Sequence, residues 1–397
     1  MSADRRGGDA FGAVMRSERP PTPPTPPTST ATPETTATPE STATPESTSA
    51  LILDVDTGID DSLALLYAAA SIEAEIVAVT CLSGNVEARQ VATNTLAVLE
   101  LAGRVDVEVA LGRETPLERP LETTPETHGP RGIGYAELPA ATRSISERHA
   151  VDVIVDAARS RPGEITLVTL GPLTTLALAL ETEPALPRLL RSVAIMGGAF
   201  GAAGNTTPTT EWNVHCDPEA AKRVFGEWHA AVVADPTTKR PLVMGLDVTE
   251  SARIFPNDVV RMAERAGDGG DAARALSRGE APARAEASAS APSIMHFVVD
   301  ALRWYFEFHD RYDGFYGAFI HDPLVVAAAL DRSLVRTEAW FVDVETRGEL
   351  TSGMTVADRR RHTGQPPNAD VAVWADSSTF LERLIERVGA LATARGI

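Results

Sequence analysis

The chain has 397 residues, 43 % of them hydrophobic, and a formal net charge of −19. Such an acidic balance speaks against a nucleic-acid or anionic-membrane partner, and no run of eighteen apolar residues is present to span a bilayer. Two cysteines, Cys81 and Cys216, are too few for a disulfide scaffold and lack metal-motif spacing.

Residues 1–49 form a Pro/Thr-rich stretch in which Thr-Pro-Glu recurs at Thr32, Thr38 and Thr44. It has too few apolar side chains to offset its ordering entropy and is expected to be a disordered tail. Its basic residues are not followed by an apolar h-region, so no secretory signal is expected and the protein is placed in the cytoplasm. Residues 50–397 are expected to form one functional domain.

That domain opens on Leu51-Ile52-Leu53-Asp54-Val55-Asp56-Thr57-Gly58-Ile59-Asp60-Asp61. The apolar run predicts a strand buried on both faces, and Asp60-Asp61 opens a helix through Ala70. Four carboxylates therefore fall in the turn after a strand, where open α/β sheets bind ligands. Packed into a dry pocket, they need protons or a cation, and oxygen ligands favour Ca2+ or Mg2+. Capping of the helix accounts for Asp60 and Asp61. It leaves Asp54 and Asp56, which the period of two puts on one face of the strand end.

Glu75–Cys81 and Val107–Leu111 read as strands flanking a helix over Val86–Ala102. The segment Glu114–Pro139, which carries His128, has no clear periodicity and reads as a functional loop. A helix over Glu147–Arg159 precedes buried strands at Ile165–Leu170 and Val193–Met196, with a helix over Leu173–Leu180 between them. Asp217-Pro218 opens a helix, since Pro is favoured in the first turn, and Leu242–Leu246 is a further strand. Residues 265–292, rich in Ala, Gly and Arg, read as a surface insertion. An aromatic-bearing helix over Ile294–His309, a helix after His321-Asp322-Pro323, strand-like alternation to Trp374 and a final amphipathic helix complete the chain. The alternation predicts an α/β fold: an open, doubly wound, mainly parallel sheet with helices on both faces. In such a sheet Gly84-Asn85, Gly171, Gly204-Asn205, Glu211, Asn213 and His321-Asp322 fall in turns on one edge and can share a pocket.

The motif Asp54-Val55-Asp56-Thr57-Gly58-Ile59-Asp60-Asp61 resembles the signature of the inosine-uridine preferring nucleoside hydrolases. The resemblance continues through Ser83-Gly84-Asn85, Leu170-Gly171-Pro172, Met196-Gly197-Gly198, Glu211-Trp212-Asn213, Leu246-Asp247-Val248-Thr249 and His321-Asp322-Pro323-Leu324, to the C-terminus. It implies hydrolysis of the N-glycosidic bond of ribonucleosides to ribose and free base, with one Ca2+ held by Asp56, Asp61, Asp322 and the Leu170 carbonyl. Asp56 is then the general base for water and His321 the proton donor to the leaving base, through an oxocarbenium-like transition state. Asp60, Asn85 and Asn213 face the ribose diol, Asn205 and Glu211 the 5′-hydroxyl, and His128 belongs to a lid loop. A homodimer or homotetramer is implied as well. Thr57 stands where the family commonly has Pro, Thr175 where it has Asn, and Trp212 where it has Phe. Tyr305, Phe308, Tyr312 and Tyr316 are candidates for base contacts, but helix packing is the preferred reading for most of them.

Two rival readings remain at this point. A haloacid-dehalogenase-like phosphohydrolase also starts with a strand ending in Asp-X-Asp, but gives Ile59-Asp60-Asp61 no role. A calcium-stabilised binding protein without turnover is the other, and the retained pair Asp56 and His321 argues against it.

Overall fold

In the first strand of the domain, β1 (Ser49–Val55), the burial alternates between two cores. Leu51, Leu53 and Val55 enter one apolar cluster, while Ala50 and Ile52 enter the other. This is the pattern of a strand covered on both faces. The structure, a computed structural model, describes residues 48–277 and 293–396. The Pro/Thr-rich stretch up to residue 47 and the second half of the expected insertion, 278–292, lie outside the described residues.

Five more strands follow: β2 (Ala74–Cys81), β3 (Glu108–Leu111), β4 (Ile165–Thr169), β5 (Ser192–Met196) and β6 (Leu242–Met244). With Ala369–Ala375 and Val335–Trp340 they make an eight-stranded sheet in the order β3-β2-β1-β4-β5-β6, then Ala369–Ala375, then Val335–Trp340. Neighbours run parallel except at the last edge, where Val335–Trp340 lies antiparallel to Ala369–Ala375. Helices Ile59–Ala70, Ala88–Leu101, Ile294–Tyr312, His321–Leu330 and Ser377–Arg395 contribute to one core, and Ala150–Ser160, Thr174–Thr182 and Pro218–Ala234 to the other. The mainly parallel, doubly wound sheet expected from the sequence is therefore present. Strand order reverses between β1 and β4, so a crevice opens beyond their carboxyl ends, the usual ligand position in such sheets.

The structure revises three local expectations. The described part of the expected insertion, residues 265–277, is not all at the surface. They finish the helix Pro256–Ala266 and form another, Asp271–Ser277, whose Ala273 and Leu276 are buried in the core. Leu246 does not end a strand; it opens the one-turn helix Leu246–Thr249, because β6 stops at Met244. The segment Glu114–Pro139, read as a loop without periodicity, carries local structure and is anchored. It contains the turn of helix Pro125–His128, and Arg119 forms a two-point ion pair with Glu219 while also bonding Thr346 O and Ser352 Oγ.

Candidate active site

Beyond the ends of β1 and β4 lies a cavity of about 640 Å3. Its walls include Asp56, Asp60, Asn85, His128, Leu170, Asn205, Glu211, Asn213, His321 and Asp322. Every residue given a metal-ligand, acid–base or sugar-binding role from the sequence thus meets at one place, apart from Asp61, which bonds the wall residues Asp56 and Asn85 from behind. Asp61 is fully buried and accepts from the backbone N–H groups of Gly58 (2.8 Å) and Asp56 (3.2 Å) and from Asn85 Nδ2 (3.2 Å). It closes the start of the helix Ile59–Ala70 and ties the β1 turn to the β2 turn.

Asp56 sits in a cradle made by small residues. The Asn85 N–H donates to Asp56 Oδ2 at 2.8 Å. A Cβ on Gly84 would stand 2.1 Å from that oxygen, and one on Gly171 would stand 2.8 Å from Asp56 Oδ1. Glycine at these two positions lets two backbone turns close around the carboxylate. Asp54 behaves differently from the expectation that it shares a face with Asp56. Regular pairing ends at Val55, so the alternation stops before Asp56. Asp54 stays within the sheet, where its Oδ1 accepts from Thr80 Oγ1 at 2.6 Å, and it does not line the cavity.

Asp60, Asp61 and Asp322 bring one carboxylate oxygen each to within 4.8 Å of one another. Asp56 stands beside this trio: its charge, with those of Asp60 and Asp61, pushes the Asp322 carboxyl upward on top of burial. Burial and then Asp61 push Asp60 up to about 8, and burial likewise raises Asp56 well above the carboxylate range. Among the described residues the cavity lining contains no Lys or Arg. Four buried carboxylates therefore face one another without a cationic side chain, an arrangement that a bound cation relieves. Hard oxygen donors, with the Leu170 carbonyl at the same wall, suit Ca2+ by donor chemistry. The residues present fit the ion.

The polar side chains across the cavity are held by the backbone. Asn213 Nδ2 donates to Leu170 O at 2.6 Å and to Met196 O at 3.3 Å. Glu211 caps the short helix Trp212–Cys216, accepting from the N–H groups of Asn213 (2.7 Å), Val214 (3.1 Å) and Gly198 (2.9 Å). Asn205 Oδ1 accepts from Trp212 N at 3.0 Å.

The two histidines have opposite tautomers. The Ile59 N–H donates to His128 Nδ1 at 3.1 Å, so the neutral ring carries its proton on Nε2. Thr249 Oγ1 gives its proton to Gly245 O at 3.2 Å and so accepts at 2.8 Å from His321 Nδ1. Neutral His321 therefore presents a bare Nε2. Burial pushes both rings down to about 3, which keeps them neutral at ordinary pH.

Of the four aromatic candidates, Tyr305, Phe308 and Tyr312 line the cavity, whereas Tyr316 packs edge-on against Phe306. Tyr305 and Phe308 also pack into the main apolar core, so helix packing and cavity lining coincide there, whereas Tyr312 is exposed. Sequence reasoning passed over His309, which also lines the cavity and is held through Nδ1 by Asp313 at 2.7 Å. The i,i+4 spacing of those two was the available signal. Thr249 was quoted only as part of a motif, and nothing in the sequence marks it as the partner of His321.

The family model for the inosine-uridine preferring nucleoside hydrolases matches residues 51–382. A pyrimidine-specific ribonucleoside hydrolase RihA of Salmonella gallinarum is 35 % identical over 339 residues, covering 85 % of this chain and 97 % of the relative. The RihA of Citrobacter koseri is 35 % identical over 344 residues, covering 86 % and 99 %. Among solved structures, a purine-preferring ribonucleoside hydrolase from Gardnerella vaginalis superposes with a TM-score of 0.74 at 29 % identity, covering 87 % of this chain and 99 % of that one. A plant nucleoside hydrolase does so with a TM-score of 0.72 at 30 % identity, covering 86 % and 99 %. With its sheet, its acid-lined crevice and this match over most of its length, the chain belongs to the inosine-uridine preferring nucleoside hydrolase family and is a nucleoside hydrolase.

Proposed function

We propose that the chain cleaves the N-glycosidic bond of ribonucleosides with Asp56 as general base to water and a Ca2+ ion held by Asp56, Asp61, Asp322 and the Leu170 carbonyl. The observation that carries this reading is the buried group of four carboxylates with no Lys or Arg in the cavity lining among the described residues. When bound, the ion supplies Lewis acidity toward water and the sugar hydroxyls.

The chain's own residues divide the remaining work. Asp56, fixed through Oδ2 by the Asn85 N–H, takes the proton of the attacking water. Asp60 and Asp322 place negative charge where the oxocarbenium-like sugar becomes positive. Asp60, Asn85 and Asn213 hold the 2′- and 3′-hydroxyls, and Asn205 and Glu211 hold the 5′-hydroxyl. A site built to bond these hydroxyls discriminates against 2′-deoxynucleosides, whose absence leaves polar groups unpaired. At the base, neutral His128 offers an N–H and neutral His321 a lone pair. Donation from His321 requires that it first take up a proton, which burial disfavours. His128 is then the donor available without prior protonation.

Because the curated relatives carry the description pyrimidine-specific, uridine and cytidine are the first substrates to assay, with inosine as the counter-test. Ribose release from this panel, before and after chelation, tests the reading. Turnover that survives complete chelation contradicts it. A homodimer or homotetramer in the cytoplasm belongs to the same reading, and light scattering on the purified chain tests the assembly. Among the described residues no helix is long and apolar enough to cross a membrane.

A further inference from the structure

At the opposite end of the sheet lies a second cavity, of about 540 Å3. Its walls come from the first residues of the strands, including Ser49, Thr166 and Ser192, and from the segments that lead into them. Strand β5 starts at this cavity with Ser192 and ends at the catalytic one with Met196. At ~3.3 Å per residue, Ser192 and Met196 are roughly 13 Å apart along the strand.

The second cavity is basic in an acidic protein. Arg191, Lys239, Arg240 and Arg332 line it, against a single carboxylate, Asp370. Asp370 is already engaged by Arg240 Nε at 2.8 Å. Lys239 Nζ donates to the Arg191 carbonyl at 3.1 Å. The guanidinium groups of Arg191 and Arg332 have no hydrogen-bond or ion-pair partner among the described residues. Among nearby acids, Asp370 attracts the Arg332 guanidinium without a direct ion pair, Asp331 is paired with Arg383 at 2.8 Å, and Asp235 accepts from the N–H and Oγ1 of Thr237.

Helix dipoles are the bland explanation for cations in this position, since helices of a parallel fold end at this edge. The helices Pro218–Ala234 and His321–Leu330 both finish beside the cavity. Each carboxyl end is worth roughly half a negative charge. Set against four cations and one carboxylate, these two ends leave roughly two positive charges uncompensated. That excess matches one dianion. Two open guanidinium forks with the Ser192 and Thr166 hydroxyls nearby suit phosphate geometry.

We infer that this cavity is a binding site for a phosphate dianion or a small phosphomonoester, separate from the catalytic cavity. Arg191 and Arg332 bind its oxygens, and Lys239 and Arg240 supply the surrounding positive field. The helix His321–Leu330 reaches from one site to the other, with His321 and Asp322 in the catalytic wall and Ala329 and Leu330 in the basic one.

Full-length protein in chloride buffer of constant ionic strength is titrated calorimetrically with inorganic phosphate and, in a separate arm, with ribose 5-phosphate. Saturable binding is expected in at least one arm, with a Kd raised at least about tenfold in the Arg191→Ser/Arg332→Ser double variant. The Asp56→Asn variant is expected to bind as wild type does, which separates this site from the catalytic cavity. The double variant is expected to keep the wild-type circular dichroism spectrum and uridine turnover, since neither guanidinium holds another element. No saturable heat in either arm, heat unchanged in the double variant, or heat lost in Asp56→Asn would overturn the inference.

Discussion

Replacing Gly84 by Ala tests the cradle around Asp56 without touching a charged group. The added Cβ would lie 2.1 Å from Asp56 Oδ2 and 2.9 Å from Pro172 Cδ. Carbon and oxygen tolerate little below ~3.2 Å, so the carboxylate must move by about 1 Å. Gly84 has no positive φ, so the backbone accepts alanine, and the atom displaced is the end of a side chain. Most of the strain is therefore relieved by turning Asp56 away from the Asn85 N–H. A displacement of that size at a reacting group costs about a hundredfold in rate. The expected result is a kcat for uridine lowered about a hundredfold with the far-ultraviolet dichroism intact. Gly226→Ala is the matched control: nothing lies within 4 Å of its Cβ, and it sits inside the helix Pro218–Ala234, so activity should be unchanged and stability equal or slightly raised. A Gly84→Ala enzyme within threefold of wild-type kcat would show that Asp56 need not be held where the structure puts it.

Three further outcomes follow from other parts of the structure. Thr249→Val removes the acceptor that fixes His321 Nδ1; with His128 as the donor to the leaving base, turnover of uridine and of a p-nitrophenyl riboside, whose leaving group needs no proton, should fall alike, and a loss confined to uridine would make His321 the donor instead. Arg119→Ala leaves Glu219 half-buried and unpaired and frees the loop before His128. A stability loss of about 1.5–3 kcal/mol in denaturant titration is expected, and an unchanged midpoint would contradict the clasp. Asp358 is held down to about 2 by the Thr363 hydroxyl and N–H and by the His362 N–H. A depressed carboxyl contributes stability above its unfolded value of 3.8, lost as pH falls toward 2. Asp358→Asn should therefore lower Tm at pH 7 and converge on wild type as the pH drops through that window.

The sequence made most of the catalytic wall legible because strand ends and helix starts are local signals. Apolar runs broken by Gly or Asp marked the carboxyl ends of β1, β2, β4 and β5, and parallel topology alone brings those turns together. What was hidden depended on contacts far apart in the chain. The tautomer of His321 is set by Thr249, seventy-two positions away. The anchoring of the segment Glu114–Pro139 rests on Arg119 reaching Glu219, Thr346 and Ser352. Asp54 was misplaced because the period of two was carried one residue past the end of the strand. Residues 265–277 were misjudged because Ala, Gly and Arg give a weak periodic signal, although Ala273 and Leu276 are core residues. The basic cavity drew no notice because its four cations are scattered over about 140 positions and the overall charge is strongly negative.

The most direct test of the calcium-dependent account is a calorimetric titration of chelator-stripped protein with calcium chloride, followed by ribose release from the same samples. One ion per chain is expected, with activity restored in proportion to occupancy and with binding lost in both Asp61→Asn and Asp322→Asn. Full activity in the stripped protein, or calcium binding unchanged in both variants, would contradict it.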